Sequence, residues 1–109
     1  MPQKLNMEDV VQLQINLLTY HLVNISQFQI LSIEDRTMFL RRASILNLRI
    51  EKLIDEFDRF FPPPYSHDRA TWLKYRALIA IRRHLEEIER AQLERFQQRE
   101  NISVAASHV

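Results

Sequence analysis

The sequence has 109 residues, 46% of them hydrophobic and 27% charged, and its formal net charge is +1. This length suits one folded domain with a modest core, and the near-neutral charge gives no general attraction to nucleic acid or anionic membranes. The absence of cysteine excludes disulfides and thiolate metal sites, and the absence of glycine excludes glycine-dependent phosphate loops and nucleophile elbows. Long helices are therefore the predicted architecture, in a single all-α domain over 1–109.

The first predicted helix covers roughly residues 7–28 and begins after Asn6, a residue type that caps helices. An inner seam of apolar residues follows a 4-3-4-3 spacing: Val11, Ile15, Leu18, Leu22 and Ile25. A second seam, the outer seam, runs beside it: Val10, Leu13, Leu17 and Tyr20. Because two adjacent seams are wider than the apolar stripe of an ordinary surface helix, we expect this helix to be buried on several sides.

The stretch between Asp9 and Glu34 contains no formally charged residue. Glutamine and asparagine residues nevertheless interrupt its apolar run too often for a membrane span. His21 lies in this stretch, where we expect a hydrogen-bonded core or interface histidine and no metal ligand.

The second predicted helix covers roughly residues 33–61 and is capped by Ser32, with Glu34 and Asp35 in its first turn. Prolines 62–64 end it, because proline cannot continue the helical hydrogen bonds. Its predicted apolar seam is long and regular: Phe39, Ala43, Leu46, Ile50, Leu53, Phe57 and Phe60.

The third predicted helix covers roughly residues 68–100 and is capped by Ser66 or Asp68. Its seam starts in an apolar first half and continues into a more charged second half: Leu78, Ile81, Leu85, Ile88, Leu93 and Phe96. The remaining residues, 101–109, are expected to form a flexible tail.

Charges on the second and third helices predict an antiparallel hairpin. The first expected set of ion pairs joins the basic start of helix two to the far part of helix three: Arg36, Arg41 and Arg42 with Glu86, Glu87, Glu89 and Glu94. The second set joins the acidic end of helix two to the start of helix three: Glu51, Asp55, Glu56 and Asp58 with Arg69, Lys74 and Arg76. Each exposed pair contributes at most about 1 kcal/mol, so these pairs select orientation and register.

The first helix has more apolar surface than one hairpin is expected to cover. Large exposed apolar patches are uncommon on monomers and usually mark a partner surface, so the sequence predicts a homodimer of bundled helices. The predicted partner-binding residues lie on the first helix and at the hairpin tip: Val11, Leu18, Leu22, Phe61, Tyr65 and Trp72. At that tip Phe57 and Phe60 are assigned to the core, although a small satellite core could equally account for the whole cluster.

A basic stretch opens the third helix, with no acidic residue between Asp68 and Glu86: Arg69, Lys74, Arg76, Arg82 and Arg83. Trp72 and Tyr75 are interleaved, a pattern that fits a surface for nucleic acid or another anion. Alternatively, the acids of helix two neutralise its first part, and Glu86, Glu87 and Glu94 neutralise the rest through helical ion pairs. We favour neutralisation, because nucleic-acid-binding domains usually carry a larger net positive charge.

No catalytic, cofactor or metal site is predicted. His84 and Glu87 lie one helical turn apart, but di-iron bundles need paired Glu-x-x-His motifs, and position 81 is Ile. The sequence therefore predicts a non-enzymatic protein–protein interaction module, such as an adaptor, assembly factor or small regulator. The alternative is a dimeric nucleic-acid-binding regulator that uses the basic stretch. Because the first residues do not resemble a secretory signal, cytoplasmic location is expected.

Overall fold

The protein is a bundle of three helices, described by a computed structural model for the backbone of 7–62 and 68–107 and the side chains of 8–62 and 68–102. The helices are α1 (Met7–Ser26), α2 (Ile33–Phe60) and α3 (Arg69–Ser107), and every pair of them is in contact. The predicted all-α class with three long helices is confirmed. At 1.5 Å per residue, the 39-residue helix α3 is about 58 Å long, whereas the 20-residue helix α1 is about 30 Å long.

The start of α2 is fixed by the predicted cap. The Asp35 backbone N–H donates to the Ser32 hydroxyl at 3.1 Å, and the Leu31 N–H donates to the Asp35 carboxylate at 3.0 Å. The two hydrogen bonds resemble a capping box, except that the Asp35 carboxylate accepts from Leu31, the residue before the cap, instead of from Ser32 itself. This reciprocal pair ends the loop that follows Ser26 and sets the direction of α2.

The α2 seam enters the core as predicted except at its last position. Phe39 and Phe57 are fully buried, whereas Phe60 is 50% exposed. A seven-residue repeat drifts by about 20° per heptad on a straight α-helix, so three heptads after Phe39 the side chain has rotated by about 60° away from the core. Ile54, which the predicted seam omits, is buried at this end of α2.

Asp68 caps α3, one of the two predicted caps; the other, Ser66, lies outside the described residues, as does the Asn6 cap of α1. The Asp68 carboxylate accepts from the Ala70 N–H at 3.0 Å and from the Thr71 hydroxyl at 2.8 Å. The Thr71 hydrogen bond is the main reason that the pKa of Asp68 lies below its ordinary value. Thr71 is itself buried, which fixes the cap against the bundle.

The end of α3 lies at Ser107, beyond the predicted boundary near Glu100. Residues 101–107 contain no proline or glycine, and Ala105 and Ala106 favour helix, so nothing in the sequence stops the hydrogen-bond ladder at 100. The boundary is corrected accordingly, while flexibility of the tail stays a prediction.

Contacts between α2 and α3 show that the two helices run antiparallel. The Phe57 and Tyr75 ring centroids lie 5.6 Å apart, and Glu51 meets Arg82 further along. A residue later in α2 therefore contacts a residue earlier in α3, as an antiparallel hairpin requires. The core between the three helices is built from the buried residues of their seams: Val11, Ile15, Leu18, Leu22, Ile25, Ile30, Phe39, Ala43, Leu46, Ile50, Leu53, Ile54, Phe57, Leu78, Ile81, Leu85, Ile88 and Phe96.

Candidate interaction surfaces

The inner seam of α1 is buried inside the chain's own bundle. Val11, Leu18 and Leu22, three of the predicted partner-binding residues, are only 3–5% exposed. Their apolar surface is already covered by α2 and α3, so the assignment of these three residues to a partner surface is corrected. They hold α1 in the core.

The outer seam of α1 remains on the surface. Leu13, Leu17 and Tyr20 are 57%, 53% and 63% exposed, and only Val10 is half-buried. At about 100° per residue the outer seam lies well round the helix from the inner seam, so the two seams are not adjacent as predicted, and α2 and α3 cover only the inner side of α1. The expectation that this helix is buried on several sides is therefore corrected. The described chain therefore presents a row of three large apolar side chains to solvent.

A groove between α1 and α2 borders the outer seam. One part of it is a cavity of about 390 Å³, where Gln14 and Leu17 of α1 face Arg49 and Lys52 of α2. A second cavity of about 250 Å³ lies further along and contains His21 of α1. This α2 wall is rich in basic side chains, whereas the facing α1 wall carries no formal charge.

Arg42 takes part in this groove and does not reach toward α3. Its guanidinium lies 5.4 Å from the centroid of the Phe28 ring, a cation–π geometry. The predicted pairing of Arg42 with the acids of helix three is therefore not made. Phe28 also packs on Phe39, with ring centroids 5.9 Å apart, so Arg42 stacks on the edge of the core.

One ion pair joins two residues within 8–62 and 68–102, between Arg82 and Glu51 at 3.4 Å. It joins an acidic residue of α2 to a basic residue of α3, as the predicted antiparallel hairpin requires. The other predicted pairs do not form at this distance between described residues. The two side chains are 36% and 46% exposed, so this pair stabilises the fold by less than about 1 kcal/mol.

The basic stretch of α3 is divided between two environments. Arg69, Arg76 and Arg83 are exposed and lie seven residues apart, so they share the face that points away from the bundle. Lys74 is half-buried, and Arg82 is occupied by Glu51. The structure thus brings three of the five predicted residues together as a row and separates the other two from it.

An aromatic cluster lies at the hairpin tip, at the end of the bundle where α2 ends and α3 begins. Phe61 is half-buried against Phe57, with ring centroids 5.0 Å apart. Trp72 is 41% exposed and stacks on Tyr75 at 6.1 Å between centroids. Tyr65, the remaining predicted partner-binding residue at this tip, lies outside the described residues. Phe61 packs against the core while staying half-buried, and Trp72 is partly exposed, so partner binding by these two residues stays a prediction.

The loop between α1 and α2 is held by two polar side chains of α3. The Gln92 amide nitrogen donates to the Ser26 and Phe28 carbonyls at 3.0 and 2.8 Å, and Arg99 donates to the Ile30 carbonyl at 2.9 Å. Gln92 is only 6% exposed. This clamp was not predicted, although Gln92 stands at a core position, four residues after Ile88 of the α3 seam.

The carboxyl group of Glu89 lies in an environment that disfavours its ionised form. Partial burial raises the pKa of Glu89 above its ordinary value, and the Glu86 carboxylate raises it further. Because the pKa of Glu89 is higher in the folded than in the unfolded chain, its ionised form destabilises the fold. That cost disappears as the pH falls through the two pKa values and both states become protonated.

We predict that Glu89→Gln raises the melting temperature at about pH 7, through a gain below about 1 kcal/mol, and loses this advantage at about pH 3. Thermal denaturation at both pH values measures the effect. Glu87→Gln, which replaces an exposed carboxyl on the same helix, serves as the control. A gain of equal size at both pH values would contradict the assigned cause.

The described residues provide no evidence for a metal site or for a membrane-spanning helix. His84 and Glu87 are both exposed, and no group of three or more His, Asp or Glu residues there is arranged to hold a metal ion. None of the described helices combines the length and the apolar character needed to cross a membrane. Comparisons with protein-family models, curated proteins and solved structures yielded no significant match.

Proposed function

We propose that this chain is a non-enzymatic protein–protein interaction module that acts as a homodimer, in the role of an adaptor, assembly factor or small regulator. The observation that carries this proposal is the outer seam of α1, where Leu13, Leu17 and Tyr20 are each more than half exposed. Side chains of this kind, aligned on one helix face, bury well against a second helix. We further propose that the protein works in the cytoplasm.

The charge distribution around the seam supports the same proposal. The cores of protein interfaces are depleted of charged residues and enriched in aromatic ones, and α1 has no formal charge from residue 10 to its end. Several of its exposed polar side chains are amides; for example, Gln12 donates to Asn16 at 3.0 Å within the helix. Amide groups of this kind tolerate burial when they are hydrogen-bonded.

Thiol labelling tests the proposal, because the chain has no cysteine of its own. We expect Leu13→Cys to react slowly with a thiol reagent at high protein concentration and quickly after dilution, since dissociation uncovers the seam. Leu48→Cys, at a 65% exposed position of α2, should react quickly at both concentrations. Equal reactivity of the two cysteines at every concentration would contradict dimerisation through this seam.

A second candidate function is nucleic-acid binding by the dimer. The observation that favours it is the exposed row of Arg69, Arg76 and Arg83 on the outer face of α3. Phosphate contacts of arginine weaken steeply as salt increases, so a gel-shift series over salt concentration separates the two functions. Absence of binding at low salt would remove this candidate and leave the protein-interaction module.

A further inference from the structure

A polar cavity of about 590 Å³ opens where α3 passes the loop between α1 and α2. Its floor is the loop that Gln92 and Arg99 hold through three backbone carbonyls. Its α3 wall carries two guanidinium groups, Arg95 and Arg99. Amide side chains complete the polar lining, and no aspartate or glutamate belongs to it.

The two arginines are not neutralised within their own helix. Residues three and four positions away are the helical neighbours of a side chain, and for Arg95 and Arg99 none of these is acidic. No carboxylate of the described residues forms an ion pair with either arginine. Arg95 and Arg99 lie four positions apart on one face of α3, so their like charges oppose folding slightly and concentrate positive charge at the cavity.

The two arginines of the cavity have more N–H groups than their hydrogen bonds to described residues use. A guanidinium has five N–H groups, and Arg99 uses one hydrogen bond to hold the Ile30 carbonyl. Arg95 makes no hydrogen bond to a described residue, and its side chain is exposed. Carboxylates bind guanidinium groups in a two-pronged geometry, so the unused N–H groups fit an acidic side chain from outside.

Apolar side chains flank these donors. Leu31 and Ile102 line the same cavity and are 67% and 69% exposed. A ligand that suits both features carries carboxylates next to an apolar side chain. We propose that the cavity binds an acidic peptide segment of a partner protein, with its carboxylates on Arg95 and Arg99 and its apolar side chain against Leu31 and Ile102. This site shares no residue with the outer seam of α1 and stands independently of the dimer.

Fluorescence anisotropy with a short labelled peptide of glutamate and leucine residues tests the proposal. We expect the unmodified protein to bind this peptide at low salt and to ignore the same peptide with glutamine in place of glutamate. Arg95→Glu should weaken binding about tenfold or more, because it reverses a charge that contacts the ligand. Arg95→Lys, which keeps the charge and loses the fork, should retain part of the affinity.

Arg41→Glu is the matched control, because Arg41 is also exposed, also lacks an acidic neighbour three or four residues away, and does not line the cavity. It should bind the peptide as the unmodified protein does. Equal losses in Arg41→Glu and Arg95→Glu would overturn the proposal, as would no binding to the unmodified protein. Displacement of the peptide by inorganic phosphate beyond that by chloride at equal ionic strength would reassign the cavity to phosphate and likewise overturn it. Circular dichroism of each variant verifies its fold.

Discussion

Leu17→Glu should be a monomer at concentrations where the unmodified chain is a dimer. In the proposed assembly each chain contributes one Leu17 to the interface, from a position that is 53% exposed in the single chain. Burying a fully exposed leucine side chain contributes about 1.5–3 kcal/mol, and about half of the Leu17 side chain is still exposed in the single chain, so losing two copies weakens the dimer by about 1.5–3 kcal/mol. That loss is about ten- to a hundredfold in the dissociation constant, before the cost of burying two carboxylates is added.

Sedimentation equilibrium measures this dissociation constant directly. Leu48→Glu is the matched control, since it makes the same change at another exposed leucine, on α2, and leaves the outer seam intact. It should dimerise as the unmodified chain does. A Leu17→Glu protein that keeps the mass of the dimer would place the interface elsewhere. Circular dichroism should show that both variants retain their helices, because neither position belongs to the buried core.

Gln92→Leu should lower the free energy of unfolding by about 2–4 kcal/mol. The substitution removes both hydrogen bonds that the amide makes to the Ser26 and Phe28 carbonyls and puts an apolar side chain against them. A buried acceptor that loses its partner costs about 1–3 kcal/mol, and two acceptors are affected here. The greater hydrophobicity of leucine offsets part of this loss, because position 92 is almost fully buried.

Urea denaturation at one fixed protein concentration measures the change, since dimerisation would otherwise alter the apparent stability. Gln98→Leu is the control: it makes the same substitution at an exposed position of the same helix. Its free energy of unfolding should change by no more than about 0.5 kcal/mol. Equal losses in the two variants would show that the clamp on the loop contributes nothing to stability.

Helix periodicity predicted the existence of both seams of α1, but it could not predict which of them the chain covers itself. Val11 and Leu13 are similar apolar residues on one helix, and only their position relative to α2 and α3 decides that one is 3% and the other 57% exposed. Positions of neighbouring helices are tertiary information that a seven-residue pattern does not contain. Val11, Leu18 and Leu22 therefore lie on the side of α1 that the chain covers itself.

Polar contacts over long sequence separations were the least predictable part of the fold. Charge patterning gave the antiparallel sense of the hairpin, yet the ion pair that forms, Arg82 with Glu51, is one that the pattern did not specify. Exposed charges have many alternative partners of nearly equal energy, so their pairing follows the packing. The Gln92 clamp also lies between segments more than sixty residues apart, although a glutamine at a seam position marks it.

The concentration dependence of the molecular mass tests most directly whether the exposed outer seam is a dimer interface. Sedimentation velocity of the unmodified chain should give a mass of about 26 kDa, twice the 13.1 kDa of one chain, falling toward the single-chain value on dilution. A mass of one chain at every accessible concentration, with Leu13, Leu17 and Tyr20 open to solvent throughout, would contradict it.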